Sequence, residues 1–181
     1  MVALLAAGGC SAEGGTPKPE TTTADARTTT ASSEPSSTRP RSIRLDGRNP
    51  CELLTSDQLA QLGVDQEGRS SEFEALKSTG CTWTVTGANN ILVPVLHEGI
   101  EAWTSGKRTG QPVDAEPVAG FPTITVAIPG SPNRCDLMID TAEGQYLAVA
   151  FSVSPSFQDR FPKPCDGARQ LAEAAMQNLL K

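Results

Sequence analysis

Five cysteines, a single histidine and a few paired carboxylates are the residues in this chain whose chemistry could matter. Cys10 ends the apolar run Val2-Ala3-Leu4-Leu5-Ala6-Ala7-Gly8-Gly9, and a polar tract follows it. Small residues directly before a cysteine at the end of an apolar segment form the pattern of a bacterial lipobox. There the thiol takes a diacylglycerol thioether and the cysteine becomes the mature N-terminus. The other four, Cys51, Cys81, Cys135 and Cys165, include no Cys-x-x-Cys pair. Zinc sites bring their ligands in close-spaced pairs, so no metal site is expected. Widely spaced cysteines in an exported chain point instead to two disulfides.

The catalytic inventory is thin. A Ser-His-Asp triad would have to use His97, and no Gly-x-Ser-x-Gly elbow is present to offer a serine. His97-Glu98-Gly99-Ile100-Glu101 lacks the second histidine of a zinc-protease helix, and no Gly-rich phosphate loop is found. Asp136 and Asp140, or Glu72 and Glu74, are carboxylate pairs of the kind that hydrolyse glycosides or bind calcium with further oxygens. Outward acids on a strand are ordinarily just solvated. Trp103, beside the flexible Gly106–Gly110 stretch, is the candidate for a binding surface. These residues point away from an enzyme and call for no cofactor.

Composition narrows the partners. The chain carries a formal charge of −6. Residues 49–181 hold 9 Lys/Arg against 16 Asp/Glu, a net −7, which leaves no electrostatic footprint for nucleic acid. No apolar stretch approaches the roughly 20 residues of a transmembrane helix. The expected location is therefore the outer face of the cell membrane, with the chain anchored by lipid and extending into the cell wall. Two acyl chains suffice for stable anchoring.

Three segments follow. Residues 1–9 form the lipoprotein signal segment. It lacks the basic n-region of a secretory signal, which points to a start codon further upstream. Residues 10–48 comprise the lipidated cysteine and a disordered Thr/Ser/Pro-rich tether. Its coil dimension is about 35 Å and its stretched reach on the order of 120 Å. Its threonine clusters suit O-glycosylation, and the run Arg39, Arg41, Arg44 and Arg48 suits either solvent or anionic headgroups. Residues 49–181 form a single globular domain.

The elements that position these groups can be read in order. Cys51 to Gly63 suggests a short helix, with Thr55 and Gln58 at capping-box spacing and Gly63 at C′. Residues 64–78 suggest a loop. Gly80–Thr86 alternates as a strand with Cys81, Trp83 and Val85 inward. Asn90–His97 is a second strand, which Pro94 pushes to an edge or a bulge. Residues 99–105 suggest a short helix with Ile100 and Trp103 on one side, and residues 106–120 a loop. Three more strands are expected over 123–128, 135–141 and 144–153, the last two joined by a hairpin at Glu143-Gly144. Cys165–Leu180 is an amphipathic helix burying Ala168, Leu171, Ala172, Ala175 and Leu179. The expected architecture is α+β: an antiparallel sheet of about five strands, with N- and C-terminal helices packed on one face and two disulfides as staples.

Four cysteines allow three pairings. Cys81 and Cys135 share the inward phase of two strands, and Cys51 and Cys165 each open a helix. That favours Cys81–Cys135 with Cys51–Cys165, and leaves the sequential pairing, Cys51–Cys81 with Cys135–Cys165, open.

The lipobox cysteine, the Thr/Ser/Pro tether and the opening Asn49-Pro50-Cys51-Glu52-Leu53-Leu54-Thr55 resemble the "D-P-C-x-L-L-T" start of an actinobacterial lipoprotein family. Gly80-Cys81-Thr82-Trp83 is similar to that family's "C-x-W" strand, and Cys135 and Cys165 complete the pattern. The family is the one catalogued as domain of unknown function 3558. Asn49 departs from its usual aspartate. The resemblance implies a cell-surface lipoprotein of a high-GC Gram-positive bacterium and brings no activity with it. The expected function is a non-enzymatic binding or interaction module for an unknown envelope protein or ligand. The alternative is a carrier or sensor of a small or lipidic ligand, with Leu147, Val149, Phe151 and Val153 lining its cavity; a hydrolase comes last.

Overall fold

The computed structural model describes residues 39–181; the signal segment, Cys10 and residues 11–38 of the tether lie outside them. Seven strands form one antiparallel sheet. They are β1 (Arg69–Phe73), β2 (Ser78–Val85), β3 (Ala88–Val95), β4 (Gln111–Val118), β5 (Phe121–Ala127), β6 (Arg134–Ala142) and β7 (Gln145–Val153). Their spatial order is β1-β2-β3-β7-β6-β5-β4. The helices are α1 (Ser56–Gln61), α2 (Glu101–Thr104) and α3 (Pro164–Leu179).

The five expected strands are all present. The two additional strands are the two edges of the sheet, β1 in the expected loop 64–78 and β4 in the expected loop 106–120. Both lack the alternation that marks a half-buried strand: β1 is almost wholly exposed, and β4 carries Pro112 and Pro117. Proline cannot donate to a ladder, and an edge strand needs only one. β3 is an interior strand. Its pairing with β2 runs only from Ala88 to Leu92, so Pro94 is paired on the β7 side alone, opposite Leu147. The missing N–H of Pro94 thus costs no bond on its β2 side.

The helix signals hold. Thr55 and Gln58 form the reciprocal capping box of α1, and Gly63 follows its C-cap at φ 71°. The expected start at Cys51 is instead a separate 3-10 turn, Pro50–Glu52. α3 buries the five predicted residues together with Gly167 and Met176. It lies on the face of the sheet that carries Leu137 and Ile139 of β6 and Leu147, Val149 and Phe151 of β7.

The folded unit begins earlier than Asn49. Ile43 and Leu45 are buried in the core beneath α3, at 5% and 0% exposure. The Ile43 N–H donates to the Thr141 carbonyl at 2.7 Å, and the Leu45 N–H donates to Gln145 Oε1 at 2.8 Å. Residues 39–48, expected to belong to the tether, therefore dock along the β6–β7 hairpin. Three of the four arginines of the run are engaged: Arg39 pairs with Asp140 at 2.5 Å, Arg41 donates to the Leu180 carbonyl, and exposed Arg44 pairs with Asp46 at 2.9 Å.

The disulfides join Cys51 to Cys81 and Cys135 to Cys165. This corrects the favoured pairing. Cys81 and Cys135 do face the same side, but β3 and β7 lie between their strands. Three strand spacings amount to about 14 Å, and a disulfide needs Cα atoms within about 7 Å. The 3-10 turn instead seats Cys51 over β2, and the start of α3 seats Cys165 over the start of β6, with Cα separations of 5.1 and 4.9 Å.

Candidate functional site: a groove on the open face of the sheet

The face of the sheet away from α3 is not a plain solvated surface. Val93 and Val95 of β3, Ile124 and Val126 of β5, Met138 of β6 and Tyr146 and Ala148 of β7 form a second apolar cluster there, with Trp103 of α2. The central strands are thus buried on both faces. β7 presents Tyr146, Ala148, Ala150 and Ser152 to this side, and its two alanines are too small to fill the space in front of them. A hollow of about 450 Å³ results. Its floor is Ala148, Ala150, Met138 and Val93; Phe73 and Leu76 stand at one side and Trp103 and Ile128 at the other. Gly80 supports the first wall: a Cβ there would lie 2.7 Å from the Phe73 ring and 2.6 Å from Val93.

Trp103 is a wall of this groove rather than an exposed surface residue; it is 5% exposed. Its ring lies 5.5 Å from the Arg108 guanidinium and packs against Gly110, where a Cβ would approach it to 3.1 Å. Arg108 in turn pairs with Glu98, and the Tyr146 hydroxyl donates to Glu98 at 3.3 Å. Burial raises the pKa of the Glu98 carboxyl, but the hydrogen bond and charge of Arg108, with smaller help from His97 and Tyr146, outweigh it and leave the group below the ordinary glutamate value. Burial pushes the Tyr146 hydroxyl up to about 12, against a smaller lowering influence of the Trp103 indole. That indole N–H is buried without a hydrogen bond of regular geometry.

The two aspartates expected to be solvated are also on this face, and both are buried, at 6% and 9% exposure for Asp136 and Asp140. Asp136 takes a two-pronged contact from Arg134, Nε to Oδ2 at 2.7 Å and Nη2 to Oδ1 at 2.6 Å, at one end of the groove. Asp140 accepts from Arg39; burial raises its pKa, Arg39 lowers it and nearby Glu101 raises it. Each of the two carboxylates is thus held by an arginine of its own. Glu72 and Glu74 are exposed at the opposite end of the groove. His97 is exposed just beyond β3. No cluster of three or more metal-binding side chains occurs among the described residues, nor any helix long and apolar enough to cross a membrane.

Leu147, Val149, Phe151 and Val153, the residues expected to line any cavity, face α3 and are filled core. The hollow is on the other side of the same strand. Alternation places these four in the core, where they are; what it misreads is the Asp136/Asp140 face, which it takes to be solvated and which is largely buried. Met138, Tyr146, Ala148 and Ala150 were the contrary signal: four apolar or half-apolar residues on a face that should have been wet.

No curated protein and no solved structure is similar enough to this chain to count as a match. A family model described as a protein of unknown function (DUF3558) matches residues 5–178, nearly the whole chain, and the protein belongs to that family.

Proposed function

We propose that this protein is a non-enzymatic binding module, held at the outer face of the cell membrane by an acylated Cys10, and that it takes a small ligand in the groove on the open face of its sheet. The hollow itself carries this reading. Ligand pockets are concave, mostly apolar and of roughly 300–1,000 Å³, and this one has about 450 Å³ with a largely apolar floor and one ion pair at its end. A hollow of that shape favours a carrier or sensor of a small molecule over a flat protein interface. The walls come from α2, the turn after β1 and the β5–β6 connection, so the sheet is the floor and connecting segments form the rim, the usual place for binding residues on a rigid scaffold.

The reading is tested by methyl NMR on the full chain while an organic extract of the bacterial envelope is titrated in. The Ala148, Ala150 and Met138 methyls should shift together and saturate. Shifts confined to residues under α3, or none at all, would refute the assignment.

A further inference from the structure

The ion pair at the end of the groove constrains what the ligand can be, and we infer that the groove takes an uncharged amphipathic molecule, an apolar body with an amide or hydroxyl head. This rests on the groove being the binding site. Arg134 meets both oxygens of Asp136 with two of its donors. The Asp136 side chain is 8% exposed and that of Arg134 35%, so the pair is reached mainly through Arg134, with Asp136 close behind it. Its net charge is zero. An incoming carboxylate attracted to Arg134 would meet Asp136, and an incoming ammonium attracted to Asp136 would meet Arg134. Either ion would have to lose its water for no net electrostatic gain.

A neutral dipolar group faces no such conflict. A guanidinium has five N–H donors and a carboxylate about four lone-pair sites, so the pair still offers donors and acceptors side by side. An amide or a hydroxyl, which both donates and accepts, satisfies both at once.

The adjoining surface has the same character. A second, shallower hollow of about 360 Å³ shares Ser131 and Arg134 with the groove and continues along Asn89, Ser152 and Ser154. Arg134 is its one charged residue, and its charge is already met by Asp136. The apolar groove thus adjoins a mixed surface, where serine hydroxyls and asparagine amides alternate with Pro132, Val153 and Pro155. Glu72 and Glu74, at the far end, are exposed, and water screens what they could give a cation.

The test compares three probes of equal chain length on the full protein: octanamide, octanoate and octylammonium, followed by the Ala150 and Met138 methyl signals. Octanamide should bind roughly tenfold tighter, or more, than either ion. Arg134→Gln should move the preference to octylammonium, and Asp136→Asn should move it to octanoate. Equal or tighter binding of either ion by the unaltered protein overturns the inference while leaving the groove as a site. Silence of both methyls with all three probes overturns the groove as well. The ranking in the unaltered protein decides the matter even where a variant fails to fold.

Discussion

Glu98 shows how single residues hold the wall of the groove. Its carboxylate ties Arg108 to Tyr146, and Arg108 stacks on Trp103. Because Glu98 has a folded pKa below the ordinary 4.5, its contribution is complete above that value and is lost as pH falls through the lower folded one. Glu98→Gln should therefore cost about 1.5–3 kcal/mol at neutral pH, the range for hydrogen bonds to charged groups. Urea unfolding across a pH series should show this gap closing as pH drops below 4.5. A gap that stays the same at every acid pH where the protein remains folded would contradict the linkage. At Gly167 the governing effect is steric. A Cβ there would sit 2.3 Å from the Phe151 ring. Alanine favours a helix over glycine by about 1 kcal/mol, but overpacking costs about 1–3 kcal/mol, and a buried ring between helix and sheet has little room to yield. Gly167→Ala should lower the melting temperature; an unchanged or higher one would show that α3 can lift away.

Among the elements, the segment 39–48 is the least expected. It lies in a polar, arginine-rich tract, and only Ile43 and Leu45 interrupt the pattern of a tether. Both are buried and both backbone N–H groups are bonded to the β6–β7 hairpin. A chain truncated to begin at Asn49 should lose about 3–6 kcal/mol, the worth of two fully buried aliphatic side chains. Equal stability of the shortened chain would show that the docking is incidental. The edge strands escaped sequence reading for a related reason. β1 has no buried face to impose alternation, and β4 is paired on one side, which lets it tolerate two prolines. The central strands, the capping box of α1 and the buried stripe of α3 were readable because burial on one face leaves a period in the sequence. The groove left a weaker mark. It depends on Ala148 and Ala150 being small beside larger neighbours, and smallness at two positions carries meaning only once β3 and β6 are known to flank β7.

At the scale of the whole molecule, the sheet separates two kinds of surface. One face is closed by α3 and by two disulfides, each spanning 30 residues, which tie the 3-10 turn to β2 and the start of α3 to β6. Loops of that length are worth roughly 3–4 kcal/mol each in the chain-entropy model. The other face is half covered and keeps its hollow. Rigidity on the first side holds the floor of the second in place, a division suited to the binding role proposed above. The most direct test is native mass spectrometry of the full chain exported from a bacterial host, alongside Ala150→Leu, whose added side chain would occupy the hollow. The unaltered protein should carry a reproducible small non-covalent adduct, and Ala150→Leu should fly without it while keeping both disulfides. An adduct retained in Ala150→Leu, or a bare mass for the unaltered protein, would contradict the account.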